Sequence, residues 1–104
     1  DGWEGAAAWR AAWQRMQPAD LLACFTTLAT RDDISGELGR ITAPALVLHG
    51  DADHAIALER AQAMAAGLPH ARMVVVPGAG HAANLTHPQP VNAALAQFLA
   101  QLPQ

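Results

Sequence analysis

Apolar positions recur at two different spacings along these 104 residues, and the change comes near residue 45. Before it, Trp9, Trp13 and Met16 stand at i, i+4 and i+7, on one face of a helix, and Ala fills much of residues 3 to 17. Pro18 ends that helix or begins the next. Leu21, Leu22, Phe25, Leu28 and Ala29 make a second amphipathic face, so the first 30 residues predict two short helices. RDDISGELGRI then reads as a polar turn with room for one helical turn before Ile41. From Ala45 to Leu48 the chain is continuously apolar, the pattern of a strand buried on both faces. Leu58, Ala61, Met64 and Leu68 mark a helix with Gly67 near its end. Met73 to Val76 repeats the buried strand, stopped by Pro77 and Gly78. A last helix starts near Pro88, its apolar face carried by Val91, Leu95, Phe98, Leu99 and Leu102.

From residue 45 the order is strand, helix, strand, helix, which predicts an α/β fold: a parallel βαβ unit with one more helix. A parallel pair needs cover on both faces and is rarely found outside a larger sheet. Two strands with two helices leave edges and much of one face open. The expectation is that further strands precede Asp1. The chain opens without Met, in a Gly/Ala/Trp segment that reads like the middle of a helix-rich region.

Composition narrows the class. With 52% apolar and 14% charged residues, the chain is globular material for one domain. All six basic residues are Arg, and the net charge of −3 is spread without an acidic or basic block, which argues against nucleic acid as a partner. Cys24 is alone, so there is no internal disulfide; its setting in LLACF predicts a buried, inert thiol and a reducing compartment. No apolar run approaches the roughly 20 residues needed to span a bilayer. No signal-like segment opens the chain either. A soluble cytoplasmic protein, with no membrane partner, is expected.

The chemistry lies in the loops that follow the two strands. A right-handed crossover brings the C-terminal ends of successive parallel strands to one sheet edge, where ligands and catalytic groups of open α/β sheets gather. The first loop is H-G-D-A-D-H, residues 49 to 54, and the second is P-G-A-G-H, residues 77 to 81. Asp53 and His81 are 28 residues apart, one crossover. If the strands are neighbours, about 4.8 Å apart, the carboxylate on one loop reaches the imidazole on the other. That is the orienting half of a nucleophile, base and acid triad.

In LVLHGDAD, GAGHAANLTHP and the closing VNAALAQFLAQL, the sequence from about Arg31 onward resembles the α/β-hydrolases. There the acid follows a penultimate core strand as G-x-x-D and the His follows the last strand as G-x-G-H. The resemblance implies that Gly50 to Asp53 supplies the acid as Asp53, and Gly78 to His81 the base as His81. The family order of Ser, then acid, then His agrees as far as it can be followed. It further implies that residues 1–40 are the end of a helical cap or lid and residues 41–104 the C-terminal βαβα part of the core. The activity implied is cofactor-free hydrolysis of a small carboxylic ester or lactone. Under a cap, Trp9, Trp13 and Phe25 become candidate substrate contacts, suited to an apolar or aromatic acyl group.

Two departures matter. Ala57 stands where the family often has Pro, four positions after the acid. More seriously, G-x-S-x-G is absent, and the one Ser, Ser35 in DISGE, lacks the strand-to-helix turn that exposes a nucleophile. The resemblance therefore implies that nucleophile and oxyanion donors belong to an N-terminal portion of the fold outside these residues.

Other readings stay open at this stage. Asp53 can be a turn residue making local hydrogen bonds. Asp51 reads as a loop or capping residue, His54 as solvent-facing, His49 as closing the strand beside the site, His70 as a surface turn and His87 as structural. H-x-D-x-D-H also differs at one position from the H-x-H-x-D-H of metallo-β-lactamase-like hydrolases, which hold two zinc ions. That motif usually runs on into Gly, where this chain has Ala55 and Ile56, and His81 and His87 supply few further ligands. The third possibility is a non-catalytic fragment or interaction module.

Overall fold

The structure, a computed structural model, describes residues 3–103. It divides into two compact units, the first ending at Asp33 and the second beginning at Ile34.

The first unit holds two helices, α1 (Ala6–Trp13) and α2 (Pro18–Thr30). α1 is shorter than the Ala-rich stretch that predicts it. Pro18 occupies the first turn of α2, where a missing N–H costs nothing, and Asp20 lies in the same turn near the positive end of the helix dipole. Thr26, Thr27 and Thr30 each donate a hydroxyl to the carbonyl four residues back. Trp9 and Trp13, one turn apart, meet edge to face with ring centroids 6.0 Å apart. No residue of either helix is buried. Cys24 is exposed, which corrects the expectation of a buried thiol: the apolar faces of these helices, Leu22 and Phe25 included, are themselves exposed.

The second unit begins with a 3-10 turn, Ser35–Arg40, whose Leu38 packs over Gly67. Then come β1 (Ala45–Gly50), α3 (Leu58–Gly67), β2 (Ala71–Val76), a short helix α4 (Ala83–Thr86) and α5 (Pro88–Ala100). β1 and β2 form a parallel two-stranded sheet in register, from Ala45 opposite Ala71 to Gly50 opposite Val76. Since α3 is the crossover, both strands end at the same level. Strand alternation puts Leu48 and Val76 on one face, where Ala79, Ala83 and Val91 complete the core; Val47 and Met73 face the other way. α3 and α5 each pack on both strands.

Two expectations are corrected here. The strands are not buried on both faces throughout: Val47 and Gly50 are buried in β1, only Val76 in β2, and Val75 is exposed. Two strands have too few neighbours to cover a continuous apolar run. In α5 the buried stripe is Val91 and Ala94, with Phe98 half-buried and Leu102 half-buried just past the helix end, whereas Leu95 and Leu99 are exposed. Arg72 of β2 donates to Gln97, and more weakly to Gln101, which fixes the roll of the helix. α3 shows the same replacement, with Ala61 buried and Met64 exposed. Among the described residues no helix is long and apolar enough to cross a membrane.

Candidate active site

Because Gly50 lies opposite Val76, the loops that follow the strands leave the sheet side by side. They are tied together three times. Asp51 N–H donates to the Val76 carbonyl (3.3 Å) and Ala52 N–H to the Ala79 carbonyl (3.0 Å), while the Asp51 carboxylate accepts the Gly78 N–H at 2.7 Å. Gly78 has φ of +71°, a conformation open to Gly without strain, and this turn aims its N–H at Asp51. Asp51 is thus more than a local capping residue: it links two loops 27 positions apart.

Gly50 is required by contact rather than by torsion. A Cβ there would sit 2.0 Å from the Ala79 carbonyl oxygen and 2.5 Å from its carbon, both backbone atoms of the opposing loop. Gly50→Ala must push the loops apart. The expected cost is about 3 kcal/mol, at the upper end for overpacking. A urea unfolding midpoint unchanged by this substitution would show that the two loops are not in contact.

Asp53 is at the centre of the pair. Its side chain is 4% exposed. Oδ1 accepts two loop N–H groups, Ala55 at 2.8 Å and Ile56 at 3.0 Å, leaving Oδ2 to meet His81 Nδ1 at 2.9 Å. The Ile56 N–H contributes most to holding the carboxyl at about 2, against an ordinary 3.8; partial desolvation pulls the other way, and the His81 ring and the Ala55 N–H lower it further. The carboxylate is therefore ionised at neutral pH and can only accept a hydrogen bond, so Nδ1 of His81 carries the proton. In the neutral ring this leaves the lone pair on Nε2. His81 is 68% exposed, and among the described residues its Nε2 has no hydrogen-bond partner.

A carboxyl held lower in the folded than in the unfolded chain gives stability that is complete above the ordinary carboxylate range and is lost as pH falls through about 2. The carboxyl 13C signal of Asp53 is accordingly expected to titrate with a midpoint near 2. A midpoint near the ordinary 3.8 would mean that the Ile56 and Ala55 N–H groups do not engage it in solution.

The structure thus brings together Asp53 and His81. The other members of H-G-D-A-D-H diverge. Asp51 turns to Gly78, His54 is exposed, and His49 Nε2 lies 2.9 Å from the Ile56 carbonyl and 3.6 Å from Asp53 Oδ2. His70 is exposed and gives its carbonyl to the Ala45 N–H, whereas half-buried His87 meets the Thr86 hydroxyl at 2.8 Å through Nδ1. Among the described residues, no three His, Cys, Asp or Glu side chains converge as a metal site. Trp9, Trp13 and Phe25 are exposed on the helical unit. Ser35 lies at the start of the 3-10 turn, away from any strand-to-helix turn.

The parallel sheet, with a carboxylate meeting an imidazole on its strand-end loops, is part of an α/β-hydrolase fold, as its likeness to solved esterases of that fold shows. The particular family follows from comparison: residues 10–103 match the model of the α/β-hydrolase family described as TAP-like protein, and the chain belongs to that family. A Pseudomonas syringae protein named for carbamate hydrolysis, RutD, is 37% identical over 71 residues, 68% of this chain and 27% of that relative. A pimeloyl-[acyl-carrier protein] methyl ester esterase of Xanthomonas axonopodis is 34% identical over 77 residues, 74% of this chain and 30% of the relative. Among solved structures, a thermophilic esterase from Thermogutta terrifontis superposes with a TM-score of 0.67 at 34% identity, over 70% of this chain and 27% of that one. The chain spans less than a third of the length of each of these relatives.

Proposed function

We propose that Asp53 and His81 are the acid and base of a nucleophile–His–acid triad, and that the protein carrying them hydrolyses a small carboxylic ester. The observation behind this reading is the 2.9 Å contact between Asp53 Oδ2 and His81 Nδ1, made by a carboxylate whose other oxygen is already held by two loop N–H groups. In this mechanism the lone pair on His81 Nε2 takes the proton from the nucleophile as its oxygen attacks the ester carbonyl. The imidazolium formed, stabilised by Asp53, then returns that proton to the leaving alkoxide. A water molecule then gives a proton to the same nitrogen as its oxygen attacks the acyl carbonyl; the bond from acyl carbon to nucleophile breaks, the imidazolium returns the proton to the nucleophile's oxygen, and the carboxylic acid leaves.

The nucleophile and the oxyanion donors are assigned to the part of the fold that the relatives have and these residues do not span. Esters are preferred to lactones because two of the similar proteins are named as esterases.

The test is ester turnover by the full-length protein, measured with a short-chain chromogenic ester. Turnover should stay within about twofold after Ser35→Ala, after Cys24→Ala and after dialysis against a chelator, since none of these touches the pair. Loss of activity with either variant would place the nucleophile in this chain, and loss on chelation would favour the zinc reading of the H-G-D-A-D-H loop.

A further inference from the structure

The triad reading leaves His49 without a task. Yet it is the last side chain before Gly50 and is only 14% exposed. Its Nε2 faces a carbonyl oxygen, Ile56 O, at 2.9 Å; a carbonyl only accepts, so Nε2 carries the proton and donates it. The same N–H lies 3.6 Å from Asp53 Oδ2, beyond a hydrogen bond but near enough for its dipole to favour the negative charge. Residue 56 therefore works in both directions. Its N–H holds Asp53 Oδ1, and its carbonyl is held by His49.

The geometry points to His49 as a positioning residue for the acid: it anchors the 53–56 loop to the end of β1, and so fixes the direction in which Asp53 Oδ2 meets His81. The loop has little else to hold it. Ala55 and Ile56 are exposed, and the Asp53 N–H bond to Gly50 O is long at 3.4 Å. Without the anchor, Ile56 is free to swing, its N–H leaves Oδ1, and the carboxylate can turn away from His81. The titratable side chains around Asp53 are His49 and His81; Asp51 is engaged by Gly78 and His54 is exposed. His49 itself touches no reacting atom, so its loss should reduce turnover without weakening substrate binding.

This inference rests on the triad reading, and the experiment separates the two. In the full-length protein, with the chromogenic ester, His49→Ala is expected to lower kcat about 10-fold to 100-fold, the range associated with a misplaced catalytic group, with KM unchanged. The Asp53 carboxyl midpoint should rise from about 2 toward 3.8 in the same variant. His49→Gln, which can offer an amide N–H to the Ile56 carbonyl, should recover most of both effects. It also guards against an Ala variant that fails to fold. An unchanged kcat and Asp53 midpoint in both variants overturns the role of His49, as does a Gln variant no better than a folded Ala variant. Asp53→Asn, measured alongside, judges the triad reading independently: if it leaves kcat intact, that reading fails whatever His49 does.

Discussion

His81→Ala in the full-length protein is expected to reduce kcat for ester hydrolysis on the order of 10⁶-fold, the loss typical of removing the histidine from a triad whose members act as a unit. The reason lies in the geometry. Among the described residues, His81 is the one side chain at this sheet edge with a ring nitrogen held by a carboxylate that is itself 4% exposed, and a second nitrogen left open. His87 and His49 have their bonded nitrogens committed to Thr86 and Ile56, and His54 and His70 are exposed away from the carboxylate's bonds. His87→Ala therefore serves as the control, with an expected loss far smaller than that of His81→Ala, since its bonded nitrogen is committed to Thr86. KM should change little in either variant, since the imidazole acts on the proton being transferred. Steady-state kinetics, with folding checked by circular dichroism, reads the result. A His81→Ala enzyme within tenfold of the parent would remove the base from the account.

The second large effect belongs to Asp53. Asp53→Asn keeps shape and volume but replaces an acceptor-only carboxylate by an amide whose NH₂ can face His81. The ring then turns its protonated nitrogen toward the reaction, the wrong tautomer, and turnover should fall about 10⁴-fold, as in serine proteases. The loss is smaller than for His81 because the base remains and works from a minority tautomer. The Asn variant should keep its Oδ1 bonds to Ala55 and Ile56, so its urea midpoint should stay close to the parent's. Asp53→Ala removes those bonds and should destabilise the loop as well. Equal unfolding midpoints for the two variants would mean that Oδ1 does not hold the loop.

Much of the fold was legible because the relevant signals are periodic. Ala45 to Leu48 and Met73 to Val76 are apolar runs, the first preceded by Pro44 and the second stopped by Pro77 and Gly78, and the helix between them has the length of a crossover. Given a parallel pair, the two loops had to emerge at one edge, and the meeting of Asp53 with His81 follows from strand spacing. What stayed hidden was carried by signals hydropathy does not register. Ala94 is buried where Leu95 is exposed, and of the predicted face of α3 Ala61 is buried while Met64 is exposed, because close packing on the sheet favours a small residue over a more apolar one. The four residues of α4 are too few to show a period. Cys24 sits on an apolar face that is exposed, so its neighbours predicted its burial wrongly. The tie from Asp51 to Gly78 and the anchor from His49 to Ile56 depend on the backbone path of the loops, which spacing alone does not describe.

The pair also shows how a short chemical motif is divided by its loop. Four ionisable side chains within six residues suggest a metal cluster, yet each meets a different environment: a strand end, a neighbouring turn, a pair of loop N–H donors and solvent. Only Asp53 combines burial, two fixed donors and an oxygen to spare.

The central claim is that Asp53 sets the tautomer of His81 and leaves Nε2 as the working base. The most direct measurement is the 15N and proton NMR of the His81 ring in the full-length protein, recorded where the imidazole is neutral. The account predicts a ring protonated at Nδ1, with a downfield Nδ1–H signal that disappears in Asp53→Asn. A His81 ring protonated mainly at Nε2 in the parent protein, or an Nδ1–H signal indifferent to Asp53→Asn, would contradict it.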